Sequence, residues 1–130
     1  MNQSQLIALT TNLLYPSESD EPIIPVSFGV AKNWPSTGNA LKKVLGVKKG
    51  QSFKTVSNDS FWNKLFIEQD WHSQSDRENI VRYKTLKEFL ELNLKDIKCC
   101  HIGKIEKTVY LIGYNHKGLI EGIKTQIIQS

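Results

Sequence analysis

Three short stretches of the sequence carry side chains that could bind a charged partner. Ser17–Glu21 reads SESDE and contains three carboxylates, Gln69–Trp71 reads QDW, and the chain ends in Gln129 and Ser130. Carboxylate and hydroxyl oxygens accept hydrogen bonds and are the ligands that hard cations prefer. An exposed tryptophan beside polar groups is typical of an interface anchor. Together the three stretches predict a binding surface.

Each stretch also has an explanation that involves no partner. An acidic, serine-rich segment is usually a solvated loop. Trp71 could be a core aromatic, because tryptophan is buried on average. Ser130 could be an ordinary chain end. The residue types alone leave both interpretations open.

Motifs for catalysis and for metal binding are absent from the sequence. It contains no Walker loop, no G-x-G-x-x-G, no H-E-x-x-H and no G-x-S-x-G. His72, His101 and His116 are far apart. Cys99 and Cys100 are neighbours, and their side chains would point to opposite faces of a strand, which suits neither a disulfide nor a metal site. We therefore expect a protein that is not an enzyme and has no cofactor and no metal of its own.

The composition predicts one soluble domain, residues 1–130. The 130 residues are 39% hydrophobic, and no apolar run approaches the roughly 20 residues that span a bilayer. No Lys or Arg precedes Lys32, which argues against a secretory signal. The adjacent cysteines fit a reducing compartment, so we expect a cytoplasmic protein.

Charge is segregated along the chain. The net charge of +4 and the pI of about 9.1 favour an anionic partner such as nucleic acid. Residues 1–30 contain no Lys or Arg, whereas residues 31–55 contain six lysines and no acid. In a second interpretation the chain is therefore a small nucleic-acid-binding domain, with Trp34 or Phe53 stacking on bases. Its phosphate contacts would be Lys42, Lys43, Lys48, Lys49 and Lys54.

Hydrophobic spacing and turn residues predict four helices and five strands. The helices are expected at Gln5–Leu14, at about Asn39–Leu45, from Ser57 or Asn58 through FWNKLF, and from Ser75 or Asp76 to about Lys95. The strands are expected at Pro25–Val30, Phe53–Val56, Lys98–Gly103, Thr108–Tyr114 and about Gly122–Ile128. This order predicts an α/β (α+β) fold, a three-layer α/β/α sandwich with a mixed, largely antiparallel sheet.

The last strand is unusual because it runs almost to the final residue. Apolar or β-branched residues alternate with polar ones from Ile123 to Ile127. Chain ends normally carry loose polar residues, because ordering them costs conformational entropy. We therefore expect a buried strand to deliver Gln129 and Ser130 to a fixed place.

Five segments, in collinear order, are similar to one known family. They are LLYPSESDEP at 13–22, FKTVSNDSFW at 53–62, QDW at 69–71, LKEFLELNLK at 86–95 and IGKIEKTVYLIGYNHKGLIEGIKTQIIQS at 102–130. The combination of the acidic loop, QDW and the VYLIG strand leading to a terminal hydroxyl is specific. By these segments the chain resembles the nuclease A inhibitor family, small proteins that block sugar-non-specific nucleases. The resemblance covers about Gln5 to Ser130 and is weakest from Ile24 to Gly50.

The resemblance implies roles for individual residues and one protein partner, a sugar-non-specific nuclease bound one to one. Glu18 matches the family's inhibitory loop carboxylate, which is expected at the nuclease's active site. Gln69 and Trp71 match contact residues on a neighbouring loop. Ser130 matches a terminal threonine whose hydroxyl reaches the enzyme's catalytic magnesium. The full set of expected partner-binding residues is Glu18, Ser19, Asp20, Gln69, Asp70, Trp71, Gln129 and Ser130.

Such an inhibitor also follows a simple physical logic. A nuclease that cuts any sequence reads phosphate charge, so its cleft holds basic side chains and a hard cation. A protein can occupy that cleft by presenting acids and hydroxyls where phosphates would lie. A stiff scaffold helps, because each side chain ordered on binding costs about 0.5 to 1.5 kcal/mol. The same scaffold bound to an unrelated protein is a third interpretation.

Overall fold

Five antiparallel strands in one sheet form the centre of the structure. The computed structural model describes residues 3–16, 20–30, 38–66 and 74–128. The helices are α1 (Gln3–Thr10), α2 (Gly38–Leu45), α3 (Asn58–Trp62), followed by a 3-10 turn (Asn63–Leu65), and α4 (Gln74–Asn93). The strands are β1 (Leu14–Tyr15), β2 (Glu21–Pro22), β3 (Ile24–Val30), β4 (Phe53–Val56), β5 (Lys95–Ile102), β6 (Glu106–Tyr114) and β7 (Leu119–Ile128).

The main sheet has the strand order β3-β7-β6-β5-β4, and β1 and β2 form a separate hairpin. β7 is paired on both sides, with β3 and with β6. Every pair among the described strands is antiparallel. The described sheet is therefore antiparallel throughout, whereas the sequence predicted a mixed, largely antiparallel one.

The main core lies between one face of this sheet and the helices α1, α3 and α4. Along each strand, side chains that face this core alternate with side chains that face away from it. In β7 the core-facing residues are Ile123, Thr125 and Ile127, which are buried. The apolar members of this core are Leu6, Leu13, Tyr15, Ile23, Phe61, Trp62, Leu65, Tyr83, Leu86, Leu90, Leu94, Cys99, Val109, Leu111, Ile123 and Ile127. In the described part of the chain, no helix is both long and apolar enough to cross a bilayer.

The helix α2 lies beside the β4 edge. Lys42 Nζ is 5.6 Å from the centroid of the Phe53 ring, and Phe53 points away from the face on which Val56 joins the main core. Cys100 and Ile112, on the face that Phe53 shares, are also fully buried. The α+β class is confirmed, and the complete three-layer sandwich stays a prediction.

The helix α1 ends four residues before its predicted end. The hydroxyl of Thr10 donates to the carbonyl of Leu6 at 2.9 Å, and Asn12 has a φ of 59°, the left-handed conformation that terminates many helices. The chain then enters β1 at Leu14. Ile7 and Leu14, two apolar residues of the predicted helix, are 51% and 43% exposed.

Two other helix ends follow the expected chemistry. Gly46 has a φ of 68°, and its N–H donates to Lys43 O while the N–H of Val47 donates to Lys42 O at 3.0 Å. This pair of bonds is the Schellman arrangement, in which Gly46 ends α2. The Ser57 side chain accepts a backbone N–H in the first turn of α3, as the sequence predicted.

Two strands begin three residues earlier than predicted. In β5 the pairing with β6 shifts after Lys95, where Asp96 has a φ of 49°, so the side-chain alternation is interrupted there. In β7 the early residues from Leu119 include a buried acid, Glu121, which accepts a hydrogen bond from Asn115 Nδ2 at 3.1 Å. Neither feature follows the periodic pattern by which strands are recognised.

We expect Gly122→Ala to lower the free energy of unfolding by about 3 kcal/mol. A Cβ at Gly122 would lie 2.0 Å from the backbone oxygen of Leu111 and 2.8 Å from Ile112 Cα, so the two central strands would have to separate. Urea denaturation measures the change, with Thr85→Ala on the exposed side of α4 as a control expected within about 0.5 kcal/mol. An unchanged unfolding midpoint for Gly122→Ala would contradict this pairing.

Candidate functional site

The acidic segment connects the two strands of a short hairpin. Leu14 of β1 is opposite Pro22 of β2, and Tyr15 is opposite Glu21. Glu21 and Pro22 are therefore strand residues, although the sequence predicted a loop through both. Asp20, at the start of the returning strand, is exposed.

Most of the predicted partner-binding residues lie outside the described residues, so the site is characterised by the elements that flank them. Asp20 is the member of the predicted set that the structure describes. Those outside the described ranges are Glu18, Ser19, Gln69, Asp70, Trp71, Gln129 and Ser130.

A side-chain hydroxyl from another element holds each strand of the hairpin. Tyr83 of α4 donates to the carbonyl of Leu14 in β1. Thr125 of β7 donates to the carbonyl of Pro22 in β2 at 3.0 Å. The two ends of the acidic segment are thus tied to the helix α4 on one side and to the interior strand β7 on the other.

Apolar packing also fixes the hairpin base. The Tyr15 hydroxyl donates to Phe61 O at 2.8 Å, and the two rings lie 4.8 Å apart. Leu13 and Ile23, which flank the hairpin, are each 1% exposed, and the N–H of Ile23 donates to Leu13 O at 2.9 Å. The base belongs to the main core, so its position is set by the whole fold.

The two tyrosine hydroxyls remain protonated donors at neutral pH. Burial, followed by smaller contributions from Cys99 and Tyr83, raises the pKa of Tyr15 to about 12. Burial also raises the pKa of Tyr83, and the negative charge of Asp20 adds to the increase. The carboxylate of Asp20 is therefore close enough to α4 for its charge to act on Tyr83.

Strand direction brings the hairpin toward the C-terminal end of β7. β3 begins with Ile24 opposite Lys124 and runs antiparallel to β7. Upstream of β3, Pro22 contacts Thr125, one residue further along β7. The chain from β3 back to Asp20 therefore runs alongside β7 in the direction of its last residues.

The segment that contains QDW is flanked by residues attached to the same helix that holds the hairpin. Before it, the Phe66 ring stacks on Trp62 with centroids 6.0 Å apart, and Lys84 Nζ of α4 lies 6.0 Å from the Phe66 centroid. After it, the chain enters α4 at Gln74. Because Tyr83 belongs to α4 as well, this helix positions the flanks of both segments.

Comparison with known families identifies the chain. A family model described as nuclease A inhibitor-like protein (NuiA) matches residues 2–130. The chain belongs to the nuclease A inhibitor-like family. A comparison with curated proteins gives no match. The resemblance predicted from the five segments is thus confirmed at the level of the family.

In this nuclease A inhibitor-like chain the lysine-rich segment lies at the β4 edge of the sheet, away from the strand that holds the hairpin. β4 and β7 are three strand spacings of about 4.8 Å, or roughly 14 Å, apart. The exposed lysines in or near β4 and α2 are Lys42, Lys43, Lys48, Lys49 and Lys54. Basic and acidic segments are therefore separated in space as well as in sequence.

The vicinal cysteines are strand residues whose side chains lie on opposite faces, as the sequence predicted. Cys99 and Cys100 are fully buried, free and on opposite faces of β5. Burial raises the pKa of Cys99 to about 12 and that of Cys100 to about 11. Both thiols stay protonated at neutral pH. Across the described ranges, no group of three or more His, Cys, Asp or Glu residues is arranged to hold a metal ion.

Sequence reasoning missed the residues that hold the hairpin and assigned no role to His101. Tyr83 and Leu14 are 69 residues apart, and Thr125 and Pro22 are 103 apart, so no local pattern links them. His101 is half-buried, and its pKa is lowered by burial and then by the charges of Lys107 and Lys54.

We expect Tyr83→Phe to lower the free energy of unfolding by about 1 kcal/mol, because the Leu14 carbonyl loses its donor. Tyr110→Phe is the matched control, since no hydrogen bond links the Tyr110 hydroxyl to another described residue. Urea titrations of both variants measure the difference. Equal free energies of unfolding for the two variants would contradict a stabilising hydrogen bond between Tyr83 of α4 and Leu14 of the hairpin.

We expect an NMR titration to give His101 a pKa below 6.5, and Lys107→Gln to raise it. As the pH falls below 6.5, the unfolded chain gains a proton at this position before the folded chain does, so stability decreases. Lys43→Gln, exposed on α2, should leave the titration unchanged. A His101 pKa at or above 6.5 would contradict the described surroundings.

Proposed function

We propose that this member of the nuclease A inhibitor-like family binds and blocks the active site of a sugar-non-specific, magnesium-dependent endonuclease, one to one. The observation that carries the proposal is the acidic segment at the turn of a hairpin whose two strands are tied to α4 and β7. A segment anchored in this way presents carboxylates with little ordering cost on binding.

In this proposal the acids of the hairpin take the place of substrate phosphates. Glu18 enters the nuclease's active site, and Ser19 and Asp20 contact the basic side chains around it. Charge-assisted hydrogen bonds to arginine or lysine are stronger than neutral ones, and they gain further in a cleft from which water is excluded. The exposure of Asp20 supports its availability to a partner.

The C-terminal strand supplies the second contact. β7 is paired on both sides and buried on its core face through Ile127. We propose that Gln129 and Ser130, which follow it, reach the enzyme's magnesium region, where the Ser130 hydroxyl approaches the metal. The metal belongs to the enzyme, and hard cations of this kind accept oxygen ligands.

The third contact is the segment with Gln69, Asp70 and Trp71. We propose Trp71 as a desolvated anchor beside the charged contacts, with the two polar residues hydrogen-bonding around it. The flanks of this segment support the assignment. Phe66 before it contacts Lys84 of α4, and α4 itself begins after it, while Tyr83 of the same helix holds the hairpin.

A net charge of +4 is compatible with binding to a basic cleft. The edge strand β4, near the exposed lysines, lies three strand spacings, roughly 14 Å, from β7, which holds the hairpin; this is more than one Debye length of about 8 Å at physiological salt. Their repulsion is therefore largely screened at the contact. The charge closest to the partner's cleft is therefore the negative charge of the hairpin.

The test is a titration of the protein into a magnesium-dependent sugar-non-specific nuclease while DNA hydrolysis is followed. We expect saturating one-to-one inhibition, weakened about 30-fold or more by Glu18→Ala or Trp71→Ala, and also weakened by removal of Ser130. Glu88→Ala, an exposed acid on α4, is the matched control and should inhibit like the parent. No inhibition by the folded parent protein would refute the proposal.

A second candidate, nucleic-acid binding, is favoured by one observation, the group of exposed lysines near β4. The ring of Phe53 already has Lys42 above it, which makes it a poor platform for a base. This candidate predicts DNA binding that falls steeply with salt and is lost when Lys42, Lys43 and Lys54 are changed to Gln. Absence of both DNA binding and inhibition would favour an unrelated protein partner.

We also propose that the protein acts in the cytoplasm, where a cell's own nucleic acids need protection. Two buried, free thiols suit a reducing compartment. Fractionation of the source cells tests this, and recovery of the protein outside the cell would contradict it.

A further inference from the structure

The turn between β5 and β6 lies at the same end of the sheet as the end of β7. β5 ends at Ile102, and β6 begins with Glu106 directly opposite Ile128 of β7. Facing residues of an antiparallel pair have Cα atoms about 4.5 to 5.5 Å apart. Gln129 and Ser130 follow Ile128 in the sequence. The β5–β6 turn therefore adjoins the strand end that leads to the proposed C-terminal contact.

The hairpin with the acidic segment approaches the same end of the sheet. β3 begins with Ile24 opposite Lys124 and runs away from the last residues of β7. Just upstream of β3, the carbonyl of Pro22 accepts the hydrogen bond from Thr125. The hairpin therefore lies along the β3 side of β7, and the β5–β6 turn lies along its β6 side.

Contacts with its neighbours fix the backbone of this turn. The N–H of Gly103 donates to the carbonyl of Ser52, just before β4, at 2.8 Å. Gly103 has a φ of 105°, and a Cβ at this position would lie 2.3 Å from the backbone oxygen of Glu106, so the turn closes tightly on itself. On the other side, Glu106 is paired with β7. The turn is thus held from both sides.

An isoleucine is exposed at the tip of the turn. Ile105 is 63% exposed, and its neighbours Lys104 and Glu106 are exposed as well. An apolar side chain among polar ones has the composition of an interface core and its rim. Isoleucine is stiff at χ1 because it is β-branched, and here its backbone is already fixed. Ordering this side chain on binding therefore costs little conformational entropy.

We propose that Ile105 is a further contact residue for the nuclease partner and packs on an apolar patch that borders the enzyme's basic cleft. This inference rests on the proposed function and extends it to the β6 side of β7. Removing the exposed part of Ile105 from water adds affinity by the hydrophobic effect, which does not depend on charge. It also favours nucleases that carry an apolar surface beside the cleft over those that carry a charged one.

The test compares the inhibition constants of Ile105→Ser, Ile105→Leu and Leu92→Ser with that of the parent protein, against a nuclease that the parent inhibits. Leu92 is the matched control, because it is 86% exposed and lies just before β5 begins at the opposite end of the sheet. We expect Ile105→Ser to raise the inhibition constant about tenfold and the other two variants to stay within about twofold of the parent. The unfolding midpoints of all three are measured first and should be unchanged, since both side chains are exposed.

Ionic strength separates an apolar contact from a charged one. The ratio of the inhibition constants of Ile105→Ser and the parent should stay constant from low to physiological salt, whereas the ratio for Asp20→Asn should fall. Equal inhibition by Ile105→Ser and the parent would overturn this inference and leave the proposed function intact, and so would a ratio that falls in parallel with that of Asp20→Asn. No inhibition by the folded parent would refute the proposed function itself and this inference with it.

Discussion

The fold is organised around β7, which pairs with a neighbouring strand on each of its edges. β7 joins β6 along nine consecutive residue pairs and holds β3 on its other edge. At Gly122 the two central backbones approach so closely that a methyl group would not fit. Because its neighbours fix β7 so closely, the Thr125 hydroxyl has a defined position from which to hold Pro22.

The hairpin is held by the helix α4 as well as by β7. Tyr83 holds Leu14, while its neighbour Arg82 donates to Thr11 O at 2.6 Å, just upstream of the hairpin. Each hydrogen bond contributes only about 1 kcal/mol net, but an unpaired carbonyl at a partly buried position would cost more. Together with the buried Tyr15, these contacts fix the two described ends of the acidic segment to the core. This is the physical basis for proposing it as a preorganised binding element.

Local chemistry was sufficient to predict much of the fold. Gly46 ends one helix and Ser57 begins another, as their residue types indicate. The alternation of apolar and polar residues in β7 identifies its buried face. The prediction failed where a specific hydrogen bond or turn overrode the helical spacing of apolar residues. α1 was expected to continue to Leu14, but threonine side chains bond to its last carbonyls and Asn12 turns the chain into the hairpin.

The candidate site was predictable only in part. The acidic, tryptophan-containing and terminal segments could be identified by their composition and by their similarity to a family, and the family is confirmed over residues 2–130. The two hydrogen bonds that hold the flanks of the acidic segment join residues 69 and 103 positions apart in sequence. They depend on tertiary structure that no sequence period encodes. The separation of lysines from the hairpin likewise needed the strand order.

In the proposed complex the acidic hairpin occupies a nuclease's active site in place of substrate. The rate of DNA hydrolysis, measured over a range of substrate concentrations at several fixed concentrations of this protein, tests this mode of binding. We expect competitive inhibition: the apparent KM rises with inhibitor and kcat stays constant. A fall in kcat at unchanged KM would refute the proposed complex, because it would place the protein on the enzyme at a site that substrate does not share.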